Sequence, residues 1–304
     1  MLGIALALAA SACWGAGDFL GGFSTRRASL WAVIIGSQAV GLAGAALVTL
    51  GTGHGWPGLH AVWPVLLGGL ASVVAISCFY RALAIGTMSI VAPISATNAL
   101  IPFAVGLATG ERPAMAQLAG VALAAVGVIL VAVEPARRGE TVGVAALPNE
   151  PAVEPGAAEE LFRREAVPVP APATGLPVAA VCMGLVLLCY DATSRYDPLW
   201  AMLGGRLSSA ILFGIIFLVL RPRVNVERSA LKFIVAVGIL DTGANGLFAL
   251  ATTHGYLSLV AVLGSLYPVV TVLLAFGVLR ERIAPHQLAG AAATIAGVAL
   301  IAAA

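Results

Sequence analysis

Glu111 to Ala132 reads ERPAMAQLAGVALAAVGVILVA, and Glu281 to Ala302 reads ERIAPHQLAGAAATIAGVALIA. Aligned at an offset of 170 residues, the two stretches agree at 12 of 22 positions, including the polar pairs Glu111/Glu281, Arg112/Arg282 and Gln117/Gln287. Drift among apolar residues does not preserve polar matches. Toward the N-terminus the correspondence continues at an offset of 169, pairing Gly86 with Gly255, Gly36 with Gly205, Trp31 with Trp200, Arg26 with Arg195 and Cys13 with Cys182. One structural unit is therefore written twice.

The composition defines the solvent of that unit. Of 304 residues, 60% are hydrophobic and 10% charged, and the mean hydropathy is +1.01. So little polar surface cannot cover a water-soluble body of this length. Runs of roughly 20 apolar residues, enough to cross about 30 Å of hydrocarbon as helix, lie at 2–23, 31–51, 62–82, 90–109 and 115–133. After a break they recur at 175–191, 199–220, 233–253, 257–279 and 288–303. These segments are apolar on every face, whereas a helix on the surface of a soluble bundle keeps a polar stripe. The expected fold is an all-α integral membrane protein with ten transmembrane helices in two five-helix repeats. It is expected to cross the cell (plasma or inner) membrane many times.

Residues 1–133 form the first repeat and 175–304 the second. Between them, 134–174 is rich in Pro, Ala and Glu, from EPARRGE to VPVPAPAT, and reads as a flexible linker with too little apolar area to order itself. Because five is odd, the second copy enters the membrane from the opposite side and the repeats are inverted. Inverted repeats carry their substrate sites near the midplane, between the halves. Met1 to Ala12 holds no Lys or Arg, so it is expected to be part of the first span rather than a cleaved signal. Cys13, Cys78, Cys182 and Cys189 all sit in apolar runs without metal-ligand spacing and read as packing residues.

Certain motifs recur in order: GYLSLVA from Gly255, LYPVV from Leu266, RER from Arg280, HQLAG from His286 and AGVAL from Ala296. The first half carries YRAL from Tyr80, GTMSIVA from Gly86, GER from Gly110 and QLAG from Gln117. This order resembles the EamA-type unit of the drug/metabolite transporter superfamily, twice over. The resemblance implies a ten-helix carrier of two inverted halves that moves amino acids, sugars, nucleotide derivatives or drugs by alternating access. One departure stands out. Thirteen residues before the Glu of RER lies Pro268, but the same count from GER gives Asn98, with Pro102 one turn later. A bend in the first half is then expected at a different place.

Charge inside a bilayer costs about 2.5–3.5 kcal/mol per residue on insertion scales, so each intramembrane ionisable group is a functional candidate. Asp241 lies mid-span in GILDTGANGLF and Arg206 lies one to two turns into its span, while their repeat images are Ser72 and Ser37. A mismatch of this kind suggests that the two charges compensate each other as an ion pair. In a sharper reading, Arg206 holds an anionic group of the substrate and Asp241 an amino group or a proton. Asp18 is the acid of the first span; its image is Leu187, with Asp191 one turn further on. A carboxylate in apolar surroundings exchanges protons near neutral pH, which makes Asp18 a candidate for proton coupling; the alternative is a helix-end residue near Arg26 and Arg27. Trp14, Gln38, Asn98, Tyr190, Asn245 and Tyr267 are the neutral polar or aromatic candidates for substrate binding, each alternatively an interhelical hydrogen bond or packing group. Glu111 and Glu281 fall at helix boundaries, where a carboxylate suits a helix start. Gly120, Gly127, Gly290 and Gly297, spaced by seven, suit close helix crossing.

Among function classes, an enzyme lacks a catalytic constellation, since His54, His60, His254 and His286 are scattered. A channel, or a scaffold or sensor, is the alternative to a carrier. The expected function is secondary transport of a small polar metabolite, amino-acid-like or related, or a drug, with or without proton coupling. No phosphate-binding loop is present, so no nucleotide is expected to drive it. No cofactor or metal is expected. The expected partners are a small-molecule substrate and the lipid bilayer, with no nucleic acid, and a monomer is compatible with this plan. Of the 16 basic residues, 13 lie on the side of the linker, so the positive-inside rule puts the linker in the cytoplasm and both termini outside; the resemblance implies cytoplasmic termini instead.

Overall fold

The computed structural model describes residues 1–24, 28–85, 97–132, 172–279 and 285–304. The first half contains α1 (Leu2–Ser24), α2 (Leu30–Gly51), α3 (Leu59–Ile85), a 3-10 turn (Thr97–Ala99) that leads into α4 (Leu100–Ala108), and α5 (Met115–Ala132). The second contains α6 (Pro172–Ser194), α7 (Pro198–Leu220), α8 (Arg228–Thr252), α9 (Leu257–Gly264), α10 (Tyr267–Leu279) and α11 (Pro285–Ala303). Among the described residues, seven helices are long and apolar enough to span a membrane, and three shorter apolar segments, Thr97–Ala108, Met115–Val131 and Leu257–Thr271, complete the order of the ten expected spans. Side chains such as Leu218, Val219, Leu288 and Ile295 are 64–74% exposed on the outer faces. Only lipid makes such a surface stable. The protein is an all-α, multi-pass integral membrane protein.

The helix ends follow local chemistry. Asp197 accepts from the backbone N–H groups of Leu199 (2.8 Å) and Trp200 (3.0 Å), and Pro198 fills the first position of α7, where a missing N–H costs nothing. Ser29 caps α2 by accepting from the N–H of Ala32. The ninth span is not continuous: α9 stops at Gly264 and α10 starts at Tyr267. Pro268 causes the break, because its ring clashes with the carbonyl four residues back and it has no N–H to donate. In the first half a 3-10 turn at Thr97–Ala99, around Asn98, leads into α4, inside which Pro102 is buried; the chain before Thr97, on which the expected bend depends, lies outside the described residues.

Two boundaries also move. Helix α6 begins at Pro172, inside the last residues assigned to the linker, and α3 runs past both ends of its apolar run. Gly86, Arg26, Arg27, Arg280, Glu281, Arg282 and residues 134–171 of the linker lie outside the described residues.

Packing is reciprocal between the halves. Helix α1 lies along α8 and α3 along α6, while α2 meets α7, α4 meets α9 and α5 meets α11. Exchanging the halves maps this set of contacts onto itself, as a two-fold relation between repeats requires. The α5–α11 crossing is built on the four glycines. A Cβ on Gly127 would sit 2.6 Å from the carbonyl of Gly290, and one on Gly297 would sit 2.6 Å from the carbonyl of Gly120. The duplicated glutamines do unlike work beside it: Gln117 accepts from the N–H of Ala114 at its own helix start, whereas Gln287 donates to the carbonyl of Val131 on α5.

Glu111 corrects the expectation that it serves a neighbouring helix start. Its two carboxylate oxygens accept from the N–H groups of Leu257 (2.7 Å) and Ser258 (2.9 Å), which cap α9 in the other half. Gly106 leaves room for it, since a Cβ there would meet the Glu111 carboxyl carbon at 2.9 Å. A short half-helix with unpaired N–H groups in a membrane needs such a partner.

Gly127→Leu is expected to cost about 1–3 kcal/mol through overpacking and to lower the melting temperature in detergent, whereas Val126→Leu on the lipid face is expected to leave it unchanged; thermal-shift measurements on the purified protein check this. Glu111→Ala is expected to cost a further about 1–3 kcal/mol, the penalty of unsatisfied buried donors, and an unaltered melting temperature would refute the capping role.

Candidate functional site

A cavity of about 190 Å³ lies where the halves meet. Its wall includes Trp14 and Asp18 from α1, Gln38 from α2, Asn98, Tyr190 from α6, Arg206 from α7, Asp241 and Asn245 from α8, and Tyr267 at the start of α10. All nine candidates from the sequence therefore share one space.

The wall obeys the repeat. At an offset of 169, Trp14 pairs with Met183, Asp18 with Leu187, Ser37 with Arg206, Ser72 with Asp241, Ile76 with Asn245 and Asn98 with Tyr267, and every one of these residues lines the cavity. The cavity thus straddles the pseudo-two-fold relation, and its two sides differ in polarity. Asp18, Asp241 and Asn245 belong to the α1–α8 pair; Leu187, Ser72 and Ile76 belong to the α6–α3 pair. Sequence reading missed Ser37, Ser72, Ile76, Met183 and Leu187 as wall residues. Applying the repeat offset to each candidate would have found them.

Arg206 is the most buried charge in the cavity wall, with 5% of its side chain exposed. Its guanidinium forms a salt bridge with Asp241 and donates to the Gln38 side-chain oxygen at 3.0 Å. Ser209 donates to the same oxygen at 3.2 Å. Gly41 makes the space, because a Cβ there would collide with the Thr242 hydroxyl and approach Arg206 Nε to 3.1 Å. The ion pair expected from the charge mismatch is present, and it occupies the guanidinium that the sharper reading assigned to a substrate anion. Asp241 is different. Its side chain is 38% exposed and faces the cavity.

Asp18 is exposed to the cavity and close enough to Asp241 for the two carboxylates to feel each other's charge. Its supposed counterpart, Asp191, is not part of this wall. It is buried at the end of α6, accepts from Arg195 Nη2 at 2.7 Å, and lies next to the hydroxyl pair of Ser194 and Thr252. Asp191 lies four residues beyond Leu187, on the same side of α6 but about 6 Å further along it toward the helix end and past the cavity, so Asp18 has no acidic mate from the second repeat among the described wall residues. Asn98 donates to the Met183 sulfur at 3.9 Å, and its buried side-chain oxygen has no partner among the described residues. Trp14 is held against the fully buried Phe248, ring centroids 5.7 Å apart. Tyr190 packs its ring end against Gly205, where a Cβ would meet the hydroxyl at 2.5 Å.

Two helical halves related by a two-fold, around a cavity that holds charged groups in an apolar shell, form an arrangement that inverted-repeat transporters use. The EamA-like transporter family model matches residues 174–303, the whole of the second repeat. By that match the second repeat is similar to the EamA-like transporter family. A solved crystal structure 18% identical in sequence superposes with a TM-score of 0.70, over 96% of this chain and 94% of that one. At that identity the likeness is one of fold. No curated protein matches the chain.

Removing one partner of a buried ion pair strands the other charge, at about 3–5 kcal/mol. Asp241→Ala is therefore expected to destabilise the protein strongly, and the double substitution Asp241→Leu with Arg206→Met to recover most of the loss. Melting temperatures of the three variants check this, and a double variant no better than Asp241→Ala would remove the pairing from the account.

Proposed function

We propose that the protein is a secondary carrier that moves a small polar solute through this cavity by alternating access, with Asp18 exchanging the coupling proton. The observation that carries the reading is the cavity itself, which is lined pairwise by repeat-related residues and gathers Asp18, Arg206, Asp241 and Asn245 on a largely apolar wall inside the membrane-spanning helices. Its volume of about 190 Å³ favours a small metabolite over a drug-sized ligand, whose pockets run to about 300–1,000 Å³.

The connections at the two ends support alternating access over a channel. The α1–α2 connection meets the α7–α8 connection in a backbone bridge between Ala28 and Val226, with the N–H of Ser29 donating to the carbonyl of Asn225 at 2.8 Å. The α6–α7 connection meets the α2–α3 connection through Asp197 and His54, 2.5 Å apart, beside the edge-to-face rings of Trp56 and Trp200. These are the same pair of connections in repeat register, since Ala28 corresponds to Asp197 and Asn225 to Trp56. Helix α2, with 22 residues, separates them by about 33 Å. Each end of the helix pair thus has a closure that can open while the other stays shut.

Flux in proteoliposomes against a metabolite panel, with and without a pH gradient, tests the reading. Saturable uptake with counterflow is expected, accelerated by the gradient, and Asp18→Asn is expected to abolish the acceleration while leaving the fold intact. Non-saturating flux would favour a channel, and absence of any flux would defeat the carrier reading.

A further inference from the structure

The geometry points to a small organic amine, an ammonium group on a compact apolar body, as the solute class of the central cavity. This inference rests on the carrier reading and goes beyond it. The argument starts from which charges are free. Arg206, the only described cation in the wall, is enclosed and already engaged by Asp241 and Gln38, so it offers little to an incoming carboxylate or phosphate. Asp18 carries no hydrogen bond from the described residues, and Asp241 keeps over a third of its side chain exposed to the cavity. With both acids ionised, two negative charges face one positive charge, and the unbalanced charge is negative.

The position of that charge matters as much as its sign. Asp18, Asp241 and Asn245 stand together on the α1–α8 side, with Trp14, also in the wall, one turn from Asp18 on the same helix. Carboxylates and a tryptophan face are the two kinds of group that hold an ammonium in a desolvated site. The opposite side, from α6 and α3, presents Leu187, Val186 and Ile76 at the depth where the first side is charged. It can bury an apolar body and, with the Ser72 and Tyr190 hydroxyls as its polar groups, offers a second ionic group no charged partner. A zwitterion such as an amino acid would leave its carboxylate facing either apolar side chains or Asp18, which costs affinity by desolvation or by like-charge repulsion.

Three probes that share one phenyl body separate the alternatives: 2-phenylethylamine, phenylalanine and 3-phenylpropionate, titrated at neutral pH against the purified full-length protein, with thermal shift and tryptophan fluorescence as readouts. The amine is expected to bind about tenfold or more tightly than phenylalanine, and 3-phenylpropionate not to bind; loss of a charged hydrogen-bond partner is worth about that factor. Asp18→Asn is expected to weaken the amine about tenfold or more at unchanged melting temperature of the free protein, and Asp18→Glu to restore part of it. Phenylalanine binding as tightly as the amine, or amine binding indifferent to Asp18→Asn, would overturn the inference while leaving the carrier reading in place. If none of the three binds, the amine class is rejected; if in addition no solute of the wider panel is moved by the reconstituted protein, the carrier reading falls with it.

Discussion

A guanidinium placed inside a hydrocarbon layer must bring its own solvation, and the environment of Arg206 is organised around that need. Asp241 comes from the next helix and Gln38 from the other half of the chain, while Ser209, one turn along α7, donates to the same Gln38 oxygen, so α2, α7 and α8 are joined at one cation. Gly41 gives up its side chain to admit the arginine. Since Gln38 belongs to the first repeat and Arg206 to the second, this bond set also fixes how α2 meets α7. The cavity is the space left beside it.

The remainder of the architecture follows from duplication under the same constraint. Each half lends its first and third helices to the other, so that α1–α8 and α3–α6 form the two flanks of the cavity and neither half completes a flank alone. The glycine crossing of α5 and α11 holds the periphery by close backbone contact, where lipid provides no hydrophobic drive toward association. The carboxylate of Glu111 does for the start of α9 what water does for helices in soluble proteins.

Much of this was legible in the chain. The apolar runs gave the ten segments because a bilayer penalises any unpaired backbone group, which leaves helices as the economical solution for such sequences. Arg206 and Asp241 could be paired before any coordinates, since two costly charges without counterparts in the sister repeat had to answer each other. Two features were not legible. The role of Glu111 depends on the α4–α5 corner reaching the half-helix of the other repeat, a distance along the chain that no local pattern encodes. The exclusion of Asp191 from the cavity depends on how far the cavity extends along α6, which a one-turn correspondence does not encode. The break at Ser265–Leu266 was signalled by Pro268.

The two end closures have a last implication. A perfectly duplicated protein would have inward-facing and outward-facing forms of equal free energy, related by the symmetry itself. Here one closure is a backbone bridge joined by the Ser29 hydroxyl, which accepts from the N–H of Asn225, while the other is an imidazole–carboxylate contact near a pair of tryptophans. Closures of unlike chemistry lift the degeneracy. If the protein works as the carrier proposed above, its empty form rests with one face preferred, and that preference is set in connections some distance from the cavity, so that direction and selectivity are free to vary independently.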